Sequence, residues 1–127
     1  MKEFMLLIRN EDNGHAEVSP EQFQKFINLV MVYIEDLKKK GTLKSAQPLE
    51  RGGKMISHPS GAFKDGPYNE TKETIVGYYH IIAKDLDEAV AIAKANPEME
   101  FIPGSKIEIR PIKGIEESID YEYPKGE

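Results

Sequence analysis

The segment from Asp65 to Glu73 is the part of the sequence best suited to chemistry. It reads Asp-Gly-Pro-Tyr-Asn-Glu-Thr-Lys-Glu and runs into the most apolar strand candidate, Val76–Ala83. Carboxylates transfer protons and a lysine can hold negative charge. Because small-molecule sites are often built from polar groups at the end of a buried strand, we predict such a site here.

Two residues are candidate catalytic proton carriers. Asp65 is a candidate general acid or base, and His80 is the best-placed imidazole of the chain. Each also has a structural interpretation. Asp65 would cap an Asx-type turn, and His80 would be a hydrogen-bonded interior or interface group. The sequence leaves both interpretations open.

Five further residues are candidates for binding a substrate, because they bring hydroxyl, carboxylate or ammonium groups to this region: Tyr68, Glu70, Lys72, Glu73 and Tyr78. Lys72 would hold an anionic substrate; alternatively, the charged residues form a solvated run whose ion pairs contribute little. Tyr78 and Tyr79 point to opposite faces of a strand, so we expect only one of them to serve the site.

The sequence offers few other catalytic patterns. It has no cysteine, and its three histidines are not closely spaced, so we predict neither a thiolate nucleophile nor a metal site. Gly52-Gly53 lacks the glycine spacing and the following helix of a phosphate loop. We therefore expect no cofactor.

Composition limits the class of protein. A chain of 127 residues with 39% hydrophobic and 31% charged residues predicts one globular domain. Its net charge of −5 argues against a nucleic-acid partner. No apolar run approaches the roughly 18 residues of a membrane span, and the short N-terminal run lacks a cleavage site. We therefore expect a cytoplasmic protein with no membrane partner.

Two helices are predicted to support the site. The first begins at Ser19, an N-cap followed by Pro20 and by Gln22 as its capping-box partner, and Gly41 ends it. Its apolar stripe contains Phe23, Phe26, Ile27, Val30, Ile34 and Leu37. The second helix runs from Asp85 to Asn96-Pro97, because a residue before proline resists the helical region. Its apolar stripe contains Leu86, Ala89, Val90 and Ala93.

Four main strands are predicted: Phe4–Ile8, Thr42–Leu49, Val76–Ala83 and Lys106–Ile112. The first and third are apolar on both faces, as expected of central strands, and the other two are mixed, as expected of edges. A short strand, Lys54–His58, and turns at Pro59-Ser60-Gly61 and Asp65-Gly66-Pro67 form an insertion. Residues 113–127 are an acidic tail, either disordered or held by a partner.

This order of elements predicts an α+β fold, the ferredoxin-like split βαβ domain with an inserted hairpin, over residues 1–112. Two helices cover only one face of its sheet, while the other face carries large apolar groups, among them Tyr78 and Ile82 or their counterparts on the opposite side. We therefore predict a symmetric homodimer that stacks the two open faces. The alternative is a monomer whose open face is covered by the hairpin and the tail.

Several motifs resemble the DGPF-type branch of the YCII-related proteins. They are Asp65-Gly66-Pro67-Tyr68, the following Glu70-Thr71-Lys72-Glu73, the strand motif Gly77-Tyr78-Tyr79, the helix start Asp85-Leu86-Asp87-Glu88-Ala89 and the terminal Glu108-Ile109-Arg110-Pro111-Ile112. Tyr68 stands where that branch usually has phenylalanine. The resemblance covers roughly residues 1–112 and implies a dimeric α+β barrel whose activity is mostly unassigned.

The resemblance also implies a limit. Some members of the wider YCII group are dehydrochlorinases or are thought to be enzymes, with a His–Asp pair whose histidine lies on the first helix. Residues 18–40 of this chain contain no histidine, and the second helix ends in Asn96-Pro97 rather than Asp-Pro. The His–Asp chemistry is therefore not carried over to this chain.

Three functions remain open at this stage. The first is a small enzyme, such as a lyase or hydrolase, acting on a polar or aromatic molecule beside the Asp65–Glu73 segment. The second is a dimer that binds or senses a small molecule in the same pocket without turnover. The third is a structural dimer that uses residues 116–127 to dock a partner.

Overall fold

The computed structural model describes residues 1–11, 18–67 and 73–124. Its main strands are β1 (Lys2–Glu11), β2 (Leu43–Pro48), β5 (Glu73–Ala83) and β6 (Lys106–Pro111), and its helices are α1 (Pro20–Lys39), α2 (Leu86–Lys94) and α3 (Glu98–Phe101). Two small hairpins complete it: β3 (Lys54–Ser57) with β4 (Lys64–Pro67), and β7 (Ile115–Glu116) with β8 (Tyr121–Glu122). None of the described helices is long and apolar enough to cross a membrane.

The four main strands form an antiparallel sheet in the order β2-β5-β1-β6. The two strands predicted to be central are therefore central, and the two predicted edges are edges. Leu6 of β1 pairs with Tyr79 of β5 on one side and with Ile109 of β6 on the other. The fold is thus an α+β fold with a four-stranded antiparallel sheet.

The two faces of the sheet differ in burial. Along β1 the exposure alternates, with Phe4, Leu6 and Ile8 buried and the residues between them half-buried. In the single chain the second face of this strand is therefore only partly buried, and its full burial stays a prediction that depends on the homodimer. The helices cover the face that carries Phe4 and Leu6, and the opposite face, which we call the open face, is only partly shielded.

The α1 helix follows its predicted signals. The Ser19 hydroxyl accepts from the N–H of Gln22 at 3.1 Å, and Gly41 has a positive φ of 71°. One member of the predicted stripe, Phe23, is 36% exposed, whereas Tyr33, which the stripe left out, is buried. The Tyr33 hydroxyl donates to the backbone oxygen of Ile92 at 2.6 Å, which explains how a polar side chain can be buried there.

The α2 helix begins at the predicted cap, where Asp85 accepts from the N–H of Glu88 at 2.9 Å. Leu86 is 50% exposed, so its place in the apolar stripe was wrong, while Ala89 and Ala93 are buried. The chain then forms α3, a short helix that we did not predict. The turn that leads into this helix is stabilised by Asn96, whose side-chain oxygen accepts from the N–H of Glu98.

The insertion and the tail each form a hairpin. Asp65 and Gly66 lie in β4, paired with Ile56 and Met55, so the predicted turn at Asp65-Gly66-Pro67 is wrong. The chain turns instead at Pro59–Gly61, as predicted. In the tail, β7 pairs with β8, a structure that neither of our alternatives anticipated. Among the described residues, neither hairpin packs extensively on the main sheet or the helices.

Candidate functional site

A cavity of about 410 Å³ lies between α1 and the part of the sheet formed by β2 and β5. Its helical wall is mostly apolar and is formed by Phe23, Phe26, Ile27, Val30 and Ile34. The sheet contributes further apolar groups, among them Ile8, Ala46 and Val76. The α1 stripe, predicted as core, therefore also lines a space large enough for a small organic molecule.

Away from the rim, the polar residues Asn10 of β1, Tyr79 of β5 and Glu98 of α3 are among those that interrupt this apolar wall. Asn10 is 2% exposed, and its Nδ2 donates to Oε2 of Glu98 at 3.2 Å. Tyr79 is also buried, and its ring lies edge-on to that of Tyr33 at 5.6 Å between centroids. The cavity therefore combines an apolar body with a localised polar region.

Asn96 supports this polar region. It is 4% exposed, and its Oδ1 accepts from the backbone N–H of Glu98 at 2.8 Å. Among the described residues, Oδ1 of Asn10 and Nδ2 of Asn96 are buried without a hydrogen bond of acceptable geometry. Buried polar atoms of this kind are uncommon in folded proteins and invite a functional explanation.

The phenol of Tyr79 stays protonated in this environment. Burial raises its pKa above the ordinary value of 10.0; the neighbouring Asn96 amide offsets part of this rise, and the charge of Glu98 adds to it. Tyr79 therefore presents a neutral hydroxyl at neutral pH, able to donate or accept a hydrogen bond but not to act as a phenolate base.

The rim of the cavity is formed by the end of β2 and the residues that follow it. Gln47, Pro48, Leu49 and Arg51 belong to the lining and are exposed. A ligand would therefore enter past the edge strand. The same segment leads directly into β3, which places the first hairpin next to the entrance in the sequence.

The structure does not gather the predicted catalytic residues at this cavity. Asp65 lies in the first hairpin, exposed, with its carboxylate 3.7 Å from Nζ of Lys54. Its Asx-turn interpretation fails along with the predicted turn, since β4 is extended there. A pair at this distance on the surface contributes little to stability.

His80 lies on the open face of the sheet. Its Nε2 is 2.7 Å from Oε1 of Glu3, and Nζ of Lys44 is 3.5 Å from the same oxygen. The hydrogen bond from His80 lowers the pKa of Glu3 more than burial raises it, and the charge of Lys44 lowers it further. His80 therefore has a polar partner on the open face, an arrangement that leaves both of its interpretations open.

The predicted binding residues fall into three groups. Tyr68, Glu70 and Lys72 lie outside the described residues. Glu73 begins β5, paired through its backbone with Glu11, and its side chain is not described. Tyr78 borders the cavity together with Tyr79, but neighbouring side chains of a strand point to opposite faces, so the expectation that only one of them serves the site stays a prediction. A strand that lines a cavity can contribute backbone atoms as well as side chains to the lining.

Sequence reasoning missed the polar residues of the cavity. Asn10 continues the alternation of Phe4, Leu6 and Ile8, and a polar residue at an inward position is a signal that would have singled it out. Glu98 gives no comparable signal, because its place at the cavity depends on α3. Within the described ranges, no three acidic or histidine side chains are grouped as metal ligands.

The model of the YCII-related domain family matches residues 2–116 of the chain. No curated protein matches the chain. The matched range contains every strand of the main sheet, all three helices and the whole cavity.

Proposed function

The chain belongs to the YCII-related family, and from that premise we propose that it binds a small molecule in the cavity between α1 and the sheet. The observation that carries the proposal is an apolar space of about 410 Å³ whose wall contains buried polar groups. Ligand pockets of proteins typically combine a largely apolar lining with a few placed polar groups in this size range.

Binding without turnover is the function that the cavity supports best. Among the wall residues that the structure describes, no nucleophile is paired with a base and an orienting group. Asn10 and Tyr79 instead offer neutral hydrogen-bonding groups, which give orientation and specificity to a bound molecule.

A proton-transfer enzyme is the second candidate, favoured by Glu98. Its carboxylate belongs to the cavity wall and is held by Nδ2 of Asn10, as a positioned general base would be. Asp65 and His80 remain predicted proton carriers for a site beside the Asp65–Glu73 segment. Ligand recovered unchanged from the protein after long incubation favours binding alone, whereas product that disappears in Glu98→Gln favours the enzyme.

The cavity itself is tested by filling it. Val30 lines the cavity, whereas Val32, on the same helix, is 65% exposed. We expect Val30→Phe to weaken the binding of a small aromatic probe such as toluene at least tenfold, measured by ligand-observed NMR. Val32→Phe, which adds the same ring outside the cavity, should bind the probe like the wild type. Equal binding by both variants would contradict the proposal.

We further propose that the domain is of the DGPF branch, has the ferredoxin-like arrangement and pairs as a homodimer through its open face. The open face supports the dimer, since Met5, Leu7 and Ile82 are half-buried apolar residues on the side of the sheet away from the described helices. Light scattering should then give twice the 14.4 kDa mass of one chain. Leu7→Glu should reduce it to one chain, while Leu29→Glu, an exposed α1 position, should not.

A further inference from the structure

We propose that the two hairpins form an interaction surface between copies of the chain. In this contact the first hairpin (β3 and β4) of one copy docks on the tail hairpin (β7 and β8) of its partner. The inference rests on the proposed homodimer and adds to it a contact outside the stacked open faces. It does not depend on what the cavity binds.

Each hairpin needs a further surface to pack against. The strands are short, with four residues each in the first hairpin and two residues each in the tail hairpin. An isolated two-stranded hairpin is at best marginally stable in water, and it gains stability from a further strand or from packing on another element. Among the described residues, neither hairpin packs extensively on a helix or on the main sheet.

Both hairpins expose apolar side chains. Those with a large exposed fraction are Met55, Ile56 and Phe63 in the first hairpin and Ile115, Ile119, Tyr121 and Tyr123 in the tail hairpin. Phe63 and Ile119 are the extreme cases, at 82% and 71% exposed. Exposed apolar groups that cluster on one segment mark an interaction surface, whereas isolated ones need no explanation.

The charges of the two hairpins are complementary. Counting lysine, arginine and carboxylates among the described residues, segment 51–67 has three basic side chains and one acidic one: Arg51, Lys54, Lys64 and Asp65. Segment 113–124 has one basic side chain and four acidic ones: Lys113, Glu116, Glu117, Asp120 and Glu122. Opposite potentials favour contact between a first hairpin and a tail hairpin, and like potentials disfavour contact between two hairpins of the same kind.

The topology places this contact between two copies. The first hairpin follows β2, an edge strand that ends with Pro48 opposite Gly77, which pairs with Ile8 near the end of β1. The tail hairpin follows β6, the other edge strand, which ends with Pro111 opposite Phe4 near the start of β1. The hairpins therefore leave the sheet at diagonally opposite corners, with the edge strands about 14 Å apart. In a two-fold dimer of stacked sheets, opposite corners of the two copies can coincide, and the contact then forms twice by symmetry.

Cross-linking tests the contact, because the chain contains no cysteine of its own. Ser57→Cys places a single thiol at the end of β3, and Ser118→Cys places one between β7 and β8; both serines are exposed. The two full-length variants, one of them isotopically labelled, are unfolded and refolded together and then treated with a short bis-maleimide. Since each chain has one thiol, a product that joins positions 57 and 118 forms only between copies. We expect this product to exceed the 57–57 and 118–118 products at least about fivefold.

Controls separate the docking from random collision and from general charge effects. Val32→Cys is exposed on α1, and with Ser118→Cys it should give no product above the background seen in denaturant. Lys64→Glu, added to Ser57→Cys, replaces attraction by repulsion at both symmetric contacts, so the 57–118 product should fall about tenfold. Lys25→Glu, at an exposed lysine of α1, is the matched control and should keep the yield within about twofold.

The outcomes distinguish the docking from the homodimer on which it rests. A mass of one chain in light scattering refutes both. A dimer in which the 57–118 product is absent, or no more abundant than the 57–57 or 118–118 product, overturns the docking and leaves the homodimer standing. A yield that Lys64→Glu leaves unchanged also overturns it, because the charge complementarity then has no role.

Discussion

Removing the hydroxyl of Tyr33 tests how α1 is held over the cavity. This hydroxyl donates to the backbone oxygen of Ile92 in α2 at 2.6 Å, and the ring packs edge-on against Tyr79. Burial raises the pKa of the Tyr33 phenol above its ordinary value of 10.0, and the nearby Tyr79 adds to the rise, so the donor is present throughout the neutral range. Tyr33→Phe removes this hydrogen bond and keeps the ring contacts.

The expected loss follows from the surroundings of the acceptor. Leaving a buried polar group without its partner costs about 1–3 kcal/mol. The Ile92 oxygen keeps a second partner, because it also accepts from the N–H of Ala95 at 3.2 Å. We therefore expect a loss at the low end, about 1 kcal/mol in the free energy of unfolding. For a chain of this length, that loss lowers the melting temperature by about 3–5 °C.

The assay is urea unfolding followed by circular dichroism, with the slope of the transition checked for constancy. Tyr121→Phe is the matched control, since that ring is 46% exposed in the tail hairpin, and we expect its stability to stay within about 0.5 kcal/mol of the wild type. If Tyr33→Phe is as stable as the wild type, or if the control loses as much, the claim that this hydrogen bond fastens α1 to α2 is refuted.

Two further predictions concern the sheet. Gly77→Ala places a Cβ 3.1 Å from a backbone oxygen of β2, so we expect the free energy of unfolding, measured with a chemical denaturant, to fall by about 1–3 kcal/mol. Gly66→Ala is the control: its Cβ would have no atom within 4 Å, so its stability should be nearly unchanged. The hydrogen bond with His80 holds the pKa of Glu3 below its ordinary value of 4.5. The ionised carboxylate therefore stabilises the folded protein above pH 4.5, and this stabilisation is lost as the pH falls through the lowered pKa of Glu3. In Glu3→Gln, the free energy of unfolding should therefore fall less steeply as the pH is lowered below about 4.5. The exposed Glu117→Gln is the control and should keep the wild-type pH dependence. An unchanged pH dependence in Glu3→Gln, or the same change in the control, would contradict this account.

Local chemistry made several elements predictable. The caps at Ser19 and Asp85 and the positive φ of Gly41 depend on neighbours within a few residues, so their sequence signals appear in the structure as predicted. The prediction failed at Asp65-Gly66-Pro67 for the opposite reason. Its residues have strong turn preferences, but pairing with β3 determined the backbone there.

The candidate site was less predictable than the fold. Periodicity told which α1 residues face inward, and five of them line the cavity. Periodicity does not predict that Glu98 accepts a hydrogen bond from Asn10, which lies 88 positions earlier in the chain. That meeting depends on an unpredicted short helix and on the packing of α3 beside the end of β1. The sequence therefore predicted the site at the polar Asp65–Glu73 segment, where the signal was local.

The sequence alone determined the two long helices, the four main strands, their order and which strands are central, because burial patterns and capping residues are encoded in short stretches of chain. The tertiary structure decided where a cavity remains between α1 and the sheet and which polar atoms are enclosed beside it. A pattern with the period of a helix or strand states which face of an element is buried, but the partner across that face is fixed only when distant segments pack together.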